Sequence, residues 1–279
     1  MSVPNSEPPT IIREPRRGWR AVDVRELLAY RDLFRFLVAR DIKVLYKQTV
    51  LGFGWAILRP VFSMIVFSVI FGRLAKIPSD GVPYPLFSYV ALVPWTYFQT
   101  SMTQSTNSLI QGARLVSKVY FPRIFVPLAP VVAGLVDFVI ALSIVGVLMA
   151  WYGVAPTLNV LFLPLLVAIM ALTAAGVGLW LSILAAQYRD VRFAVQFLVQ
   201  LLMYAAPVVW PASLIPEKYR LVYGLYPMAG VIEGFRSSLL ATNPMPWDLI
   251  LPGLLSAAGL FVTGLLYFRR AERILADVA

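Results

Sequence analysis

The fold is decided by one stretch, residues 124–188: IFVPLAPVVAGLVDFVIALSIVGVLMAWYGVAPTLNVLFLPLLVAIMALTAAGVGLWLSILAAQY. Asp137 is the only aspartate, glutamate, lysine, arginine or histidine among these sixty-five residues. Charged side chains are costly inside a bilayer, so long uncharged apolar stretches are typical of membrane-spanning helices. Further stretches without charge lie at residues 60–72, 81–113, 193–216 and 249–268. The sequence therefore predicts an all-α protein that crosses the membrane several times.

The composition supports this prediction and excludes several function classes. Of the 279 residues, 59% are hydrophobic, against roughly 45–50% in a soluble domain. The net charge of +10 does not indicate nucleic-acid binding, because the basic residues lie mainly on one side of the predicted spans. Histidine and cysteine are absent, which removes the commonest general base and metal ligand. No metal site is expected.

Six spans are predicted, at residues 55–71, 86–108, 125–150, 158–186, 193–210 and 249–268. They place nineteen of the 24 lysines and arginines on one side of the membrane; the other five are Arg73, Lys76, Lys218, Arg220 and Arg236. Because positive charge accumulates on the cytoplasmic side, both termini are predicted to be cytoplasmic and the chain to be a multi-pass protein of the inner membrane.

The segment before the first span divides into two parts. Residues 1–22 are polar and proline-rich without an apolar signal-peptide region, and are expected to be a disordered cytoplasmic tail. Residues 23–48 show helical spacing of apolar side chains and a capping-box pattern at Asp23 and Glu26. They predict a basic amphipathic helix lying on the membrane surface, with an ordinary solvent-capped helix as the alternative. Residues 49–279 then form the transmembrane domain.

The segment 211–241 is apolar yet carries charges and is interrupted by prolines and glycines. Two short helices are predicted here on the outer face, one starting near Pro216 and one near Pro227, because proline favours the first helical turn. Such helices can enter the membrane only where protein or water shields their ends.

Motifs for enzyme chemistry are missing. The chain contains no G-x-x-x-x-G-K-[ST] phosphate loop, no H-E-x-x-H, no D-x-D and no G-x-S-x-G. The sequence therefore indicates neither a nucleophile nor ATP binding by this chain itself, and no cofactor is expected in it.

Three stretches together resemble a known family: residues 40–99 (RDIKVLYKQTVLGFGWAILRPVFSMIVFSVIFGRLAKIPSDGVPYPLFSYVALVPWTYFQ), 107–138 (NSLIQGARLVSKVYFPRIFVPLAPVVAGLVDF) and 187–193 (QYRDVRF). They resemble the permease subunit of polysaccharide-exporting ABC transporters of the type 2 exporter class, most closely the O-antigen export permeases. The resemblance implies a homodimer with two copies of a separate ATP-binding subunit, which binds ATP and Mg²⁺. It also implies a glycan substrate linked to undecaprenyl pyrophosphate.

The resemblance also assigns roles to segments. The amphipathic helix corresponds to the family's interface helix, residues 111–123 to its coupling segment, and residues 211–241 to its external gate helices. The expected gate residues are Pro216, Tyr226, Pro227 and Glu233. The expected contacts with the ATP-binding subunit are Arg114, Lys118, Tyr120, Phe121, Arg123, Tyr188, Arg189 and Asp190. Contact of these basic and aromatic side chains with lipid headgroups is the alternative.

Two further sets of residues are candidates for contact with the substrate. The second span changes from aromatic to polar, and a hydroxyl-rich wall with aromatic platforms suits a glycan; the predicted pathway residues are Tyr89, Trp95, Tyr97, Phe98, Gln99, Ser101, Thr103 and Ser105. Interfacial anchoring by the aromatic rings and helix–helix hydrogen bonding by the hydroxyls are the alternatives. The basic residues Arg35, Arg40, Lys43, Lys47 and Arg59 suit a lipid pyrophosphate or ordinary anionic lipid.

Asp137 allows two interpretations. A carboxyl group in the middle of a span is costly and needs compensation. Proton coupling would require a relay, and neither a second acid nor a histidine lies in the same stretch. A buried hydrogen bond near the pathway or the dimer interface is the favoured interpretation.

Other classes remain open from sequence. A permease for capsule or teichoic acid, or one for drugs or small lipids, would share six spans and the coupling segment. A membrane glycosyltransferase or acyltransferase would need a catalytic motif that the sequence lacks.

The predicted topology can be tested by thiol labelling, since the chain has no native cysteine. Cysteines introduced at Ser117 and Ala279 should be shielded from an impermeant reagent in intact cells, because both positions are predicted to be cytoplasmic. Cysteines at Ser79 and Ser213 should react. Labelling of the Ala279→Cys variant from outside would require an odd number of spans.

Overall fold

The computed structural model describes residues 24–47, 52, 54–113 and 121–278. All regular structure within these ranges is helical. The predicted tail 1–22 lies outside the described residues, as do the ends of the amphipathic segment and residues 114–120 of the coupling segment.

Ten α-helices follow each other along the described chain. They are α1 Val24–Ala29, α2 Arg31–Tyr46, α3 Gly54–Phe67, α4 Tyr84–Gln111, α5 Phe125–Tyr152, α6 Leu163–Gln187, α7 Val191–Ala205, α8 Glu217–Gly224, α9 Pro227–Leu240 and α10 Trp247–Val278. Helix α3 continues as a π-helix over Ser68–Leu74, and short 3₁₀ helices occupy Leu158–Phe162 and Ala212–Leu214.

Four of these helical segments are long and apolar enough to cross a membrane: Gly54–Leu74, Phe125–Tyr152, Leu158–Gln187 and Trp247–Ala271. The chain is therefore a multi-pass helical membrane protein. The other two predicted spans, α4 and α7, are not both long and apolar enough to belong to this group. Helix α4 has 28 residues, about 42 Å of helix, but its second half is polar. Helix α7 has 15 residues, or about 23 Å, against a hydrocarbon core of about 30 Å.

Helix α4 lies at the centre of the bundle. It packs against α3, α5, α6, α7 and α9, and its aromatic half is almost completely buried. A helix with neighbours on all sides needs apolar side chains around its whole circumference, and the first half of α4 supplies them.

The amphipathic segment is confirmed as helical where it is described, and it breaks between α1 and α2 at Tyr30. Helix α2 packs on α5 through the fully buried Leu37 and through Phe34, whose ring centre lies 5.0 Å from that of Phe125. Phe36 and Val44 remain exposed on the single chain. One face of α2 thus packs on the bundle, and a second face exposes apolar side chains.

The close crossing of α6 and α10 depends on small residues. A Cβ atom on Gly176 would lie 2.6 Å from the backbone nitrogen of Phe261, and one on Gly264 would lie 2.6 Å from the Gly176 carbonyl oxygen. Glycine therefore lets the two backbones approach to a distance that other residues would prevent, as in membrane helix pairs with small residues at the interface.

This crossing yields a prediction about stability. Gly176→Ala should destabilise the folded protein by about 1–3 kcal/mol, because the added methyl group meets backbone atoms that cannot move independently. The measurement is thermal unfolding of the purified protein in detergent. Gly146→Ala in α5 is the matched control, since a Cβ atom there has open space. Equal stability of the two variants would contradict the proposed role of the crossing.

Candidate functional site

The predicted pathway residues on α4 fall into two groups. Tyr89, Trp95, Tyr97, Phe98, Ser101 and Ser105 are buried within the single chain, whereas Gln99 and Thr103 reach its surface. The buried rings pack into the main hydrophobic core; Trp95, for example, is only 1% exposed. The eight residues therefore do not form one open wall, because α4 is enclosed by its neighbours. Their contact with a glycan stays a prediction.

Three hydroxyl groups of α4 connect it to α5. The hydroxyl of Tyr97 donates to the carbonyl of Val131 at 2.8 Å, and that of Ser105 donates to the carbonyl of Pro127 at 2.7 Å. Tyr89 makes a longer contact with the carbonyl of Ala141 at 3.4 Å. These contacts correspond to the alternative interpretation, in which the hydroxyls hold helices together.

Gln99 and Thr103 hydrogen-bond within α4. The side-chain carbonyl of Gln99 accepts a hydrogen bond from the indole nitrogen of Trp95 at 3.0 Å. The Thr103 hydroxyl donates to the main-chain carbonyl of Gln99 at 2.8 Å. Both side chains thus form hydrogen bonds within the helix.

A cavity of about 190 Å³ lies between the end of α2, the start of α3 and the middle of α4 and α5. We refer to it as the α2–α5 cavity. Its polar lining consists of Tyr46, Arg59, Thr96, Thr100, Ser101, Gln104 and Asp137. Tyr97, Trp55 and Phe138 contribute aromatic surface. The structure thus brings together residues that sequence analysis had assigned to separate roles, namely Arg59, part of the α4 pathway and Asp137.

The hydroxyl of Tyr46 donates a hydrogen bond to the Asp137 carboxylate. Tyr46 is the last residue of α2, so this bond connects the amphipathic helix to the middle of α5. It agrees with the favoured interpretation of Asp137 as a hydrogen-bonded carboxylate. Sequence analysis did not find Tyr46, because the two residues are 91 positions apart.

The basic residues predicted to meet lipid headgroups have different surroundings. Arg35 lies 3.3 Å from Asp32 at the surface, and Arg40 contacts the carboxylate of Asp41 through two nitrogens, at 3.0 and 2.7 Å. Lys43 and Lys47 are exposed. Arg59 stands apart from α2, at the rim of the α2–α5 cavity, with its guanidinium 5.9 Å from the centre of the Trp55 ring.

The predicted contacts with the ATP-binding subunit are only partly described. Arg114, Lys118 and Tyr120 lie outside the described residues. Phe121 is buried, only 3% exposed, in a second hydrophobic cluster with Leu37 and Phe268. In this structure it is not an accessible anchor, because the chain itself covers its ring. Arg123 is half-buried, whereas Tyr188, Arg189 and Asp190 are exposed at the turn before α7.

The two short helices predicted in residues 211–241 are present. Pro216 immediately precedes α8, and Pro227 is the first residue of α9. The hydroxyl of Tyr226 donates to the carbonyl of Leu202 in α7 at 3.2 Å. All fourteen residues of α9 are buried, which accounts for the apolar character of a segment that sequence analysis placed outside the spans.

Glu233 and Arg236 form a buried ion pair on α9. Their charged atoms lie 2.7 Å apart, and the Glu233 carboxylate also accepts from the backbone nitrogen of Ala212 at 3.0 Å. Burial lowers the pKa of the Arg236 guanidinium and the Glu233 charge opposes this shift. Because arginine is not deprotonated in proteins, Arg236 keeps its charge.

Arg236 makes the larger number of contacts. It donates to the carbonyls of Val208 at 2.9 Å and Trp210 at 3.3 Å. Its guanidinium carbon lies 3.5 Å from the centre of the Phe87 ring in α4, which is a close cation–π contact. Sequence analysis selected Glu233 but missed Arg236, although the spacing of three residues places the two side chains on the same face of a helix.

Comparison with known proteins now identifies the family. Residues 32–240 match the family model described as ABC-2 type transporter. The chain belongs to the ABC-2 type transporter family. The match runs from α2 to the end of α9, so it includes the α2–α5 cavity and the buried ion pair of this ABC-2 permease.

The similar proteins include O-antigen export permeases and a polysialic acid transport protein. The O-antigen export system permease protein RfbA of Myxococcus xanthus is 33% identical over 223 residues, which are 80% of this chain and 79% of that protein. An RfbA of Klebsiella pneumoniae is 27% identical over 88% of this chain and 95% of that protein. The polysialic acid transport protein KpsM of Escherichia coli is 22% identical over 73% of this chain and 80% of that protein. The expected resemblance to O-antigen export permeases is confirmed.

The ion pair of the permease gives a prediction about stability. Arg236→Met should lower the free energy of unfolding by about 3–5 kcal/mol, because it leaves the Glu233 carboxylate buried without its partner. Arg220→Met is the matched control; Arg220 pairs with Asp248 at 2.5 Å in a more exposed place, where a salt bridge contributes about 0–1 kcal/mol.

The stability of the Arg236→Met and Arg220→Met variants is measured by thermal unfolding of the purified proteins in detergent. Adding Glu233→Gln to Arg236→Met should recover part of the loss, since it removes the unpaired charge. Equal losses for Arg236→Met and Arg220→Met would contradict the assigned importance of the buried pair.

Proposed function

We propose that this chain is the transmembrane subunit of an ATP-driven exporter of a polysaccharide linked to undecaprenyl pyrophosphate, of the O-antigen type. Two copies of the chain form the transmembrane part in the inner membrane, each with six spans and cytoplasmic termini. Two copies of a separate ATP-binding subunit bind ATP and Mg²⁺ and supply the energy. The permease itself carries no catalytic residue, metal or cofactor.

The observation that carries this proposal is the similarity to O-antigen export permeases over 80–88% of the chain. The absence of a phosphate loop from the sequence supports a separate ATP-binding subunit. The excess of basic residues on one side supports the cytoplasmic position of both termini. The length and composition of the six predicted segments support a polytopic permease.

The contacts between helices suggest how force from the ATP-binding subunit reaches the pathway. That subunit would displace α2 together with the coupling segment 111–123. Leu37 and the Tyr46–Asp137 hydrogen bond connect α2 to α5. The hydroxyl contacts of Tyr97 and Ser105 then connect α5 to α4. A shift of α2 would therefore move α4 and α5 together.

The outer end would be closed by α8 and α9. Helix α9 is joined to α4 through Arg236 and Phe87 and to the end of α7 through the Val208 carbonyl. A gate built from these helices would follow movements of α4. The exposed side chains of Tyr219 on α8 and of Leu225 directly after it leave this helix free for contact with lipid or with the second copy.

Capsular polysaccharide is the second candidate substrate. KpsM, named as a polysialic acid transport protein, is similar to 73% of this chain. Its identity of 22% is lower than the 33% of the Myxococcus xanthus permease, so O-antigen is the preferred substrate class. Complementation distinguishes the two substrates. The chain is expressed in one strain that lacks its own O-antigen permease and in another that lacks its own capsule permease. The strain in which surface polysaccharide is restored identifies the substrate.

A genetic experiment tests the proposed function. Deletion of this chain from its host should reduce surface polysaccharide and cause lipid-linked glycan to accumulate inside the cell, because synthesis continues without export. A plasmid encoding the chain together with its ATP-binding subunit should restore export. Unchanged surface polysaccharide after deletion would contradict the proposal.

A biochemical experiment tests the separation of subunits. The purified permease should show no ATP turnover above background, whereas the complex with its ATP-binding subunit should hydrolyse ATP. A complex whose ATP-binding subunit lacks its phosphate-loop lysine is the control. ATP turnover by the permease alone would contradict the assignment of ATP binding to a partner.

A further inference from the structure

We propose that the α2–α5 cavity is a binding site for one sugar ring of the exported glycan. This inference rests on the proposed function, since it presupposes a carbohydrate substrate. It adds a site whose lining comes from a single chain. The argument depends on the size, the charge balance and the hydrogen-bonding groups of the cavity.

The size of the cavity limits the ligand to a small group. Its volume of about 190 Å³ is several times the roughly 30 Å³ that one water molecule occupies in the liquid. It is below the roughly 300 Å³ at which pockets for drug-sized ligands begin. A single ring with its substituents fits this range, and a polymer does not.

The charges of the cavity favour a neutral ligand. Arg59 contributes a positive charge at the rim and Asp137 a negative charge in the lining. A phosphate group would be repelled by Asp137, and a metal cation or ammonium group by Arg59. A ligand of either sign would thus meet one group of like charge, which favours an uncharged polar group over the lipid pyrophosphate or ordinary anionic lipid that the sequence suggested for Arg59.

The polar groups suit a ligand that both donates and accepts hydrogen bonds. The Asp137 carboxylate accepts from Tyr46 and has further acceptor capacity. Gln104 offers both an amide donor and a carbonyl acceptor. Thr100, which is half-buried in the lining, offers a hydroxyl that can donate and accept.

The aromatic surface completes the match to a sugar. Trp55 and Tyr97 both line the cavity, but Tyr97 is only 4% exposed, so Trp55, at 44%, is the ring that a ligand can contact. A sugar ring has hydroxyl groups around its edge and an apolar face of C–H groups, so it can contact an aromatic ring while its edge forms hydrogen bonds.

The first test measures binding directly. The complex of permease and ATP-binding subunit, in lipid nanodiscs, is titrated with the methyl glycosides of the monosaccharides obtained by hydrolysis of the host's own glycan. Saturation-transfer NMR should detect at least one of them. Gln104→Leu, which removes hydrogen bonding at similar size, and Thr100→Phe, which fills the cavity, should weaken binding by about fivefold or more, as expected for the loss of one hydrogen bond.

The control for this test is Asn107→Leu, one turn further along α4. It is also an amide-to-leucine change, and Asn107 does not line the cavity. Binding should remain as in the unmodified complex. Absence of binding by every methyl glycoside, or equal binding by the Gln104→Leu, Thr100→Phe and Asn107→Leu variants, would overturn the inference.

The second test separates this inference from the proposed function. Surface glycan is measured per copy of folded transporter in cells that carry the same variants, with ATP hydrolysis and thermal stability measured alongside. Loss of export in the cavity variants, with stability unchanged, supports the site. If deletion of the chain abolishes export but the cavity variants export normally, the sugar site is excluded and the proposed function stands. If deletion changes nothing, the proposed function itself fails.

Discussion

The structure depends on one constraint: the polar groups of α4 must find partners inside the protein, because lipid offers none. The hydroxyls of Tyr97 and Ser105 meet this need by donating to main-chain carbonyls of α5. The later residue of α4, Ser105, bonds to the earlier residue of α5, Pro127, and Tyr97 bonds to Val131. The two helices are therefore antiparallel, and these bonds fix their register. With α4 held in this way, α3, α6, α7 and α9 pack around it, and the α2–α5 cavity forms where α2 and α3 leave the packing incomplete.

The same requirement governs the outer end of the bundle. Helix α9 is too short to span a membrane, with fourteen residues or about 21 Å of helix, and yet it is entirely buried. The buried Arg236 makes this position possible, because it satisfies Glu233 and the two carbonyls that follow the end of α7. The chain thus has polar connections at both ends of α4, one towards α2 through α5 and one towards α9.

Much of the fold followed from local sequence. The apolar stretches predicted α5, α6 and α10, and the prolines at 216 and 227 predicted the starts of the short helices, because proline lacks the N–H that a helix interior requires. The aromatic and polar residues of α4 were interpreted as a glycan path, although the hydroxyls of Tyr89, Tyr97 and Ser105 bond to main-chain carbonyls of α5. Phe121 was interpreted as an exposed anchor and is buried. Sequence shows that a side chain is polar or aromatic, but not which neighbour it meets.

The sequence by itself therefore determined that this is a helical, multi-pass membrane protein without catalytic motifs, and its ordered motifs already indicated the polysaccharide-export permeases. These properties depend on composition, spacing and charge distribution, which are local or additive. Only the tertiary structure brought Tyr46 to Asp137, Arg236 to Phe87, and Arg59 to the same cavity as Gln104. Such contacts join residues far apart in the chain, and they depend on how several helices pack at once, which no single segment encodes.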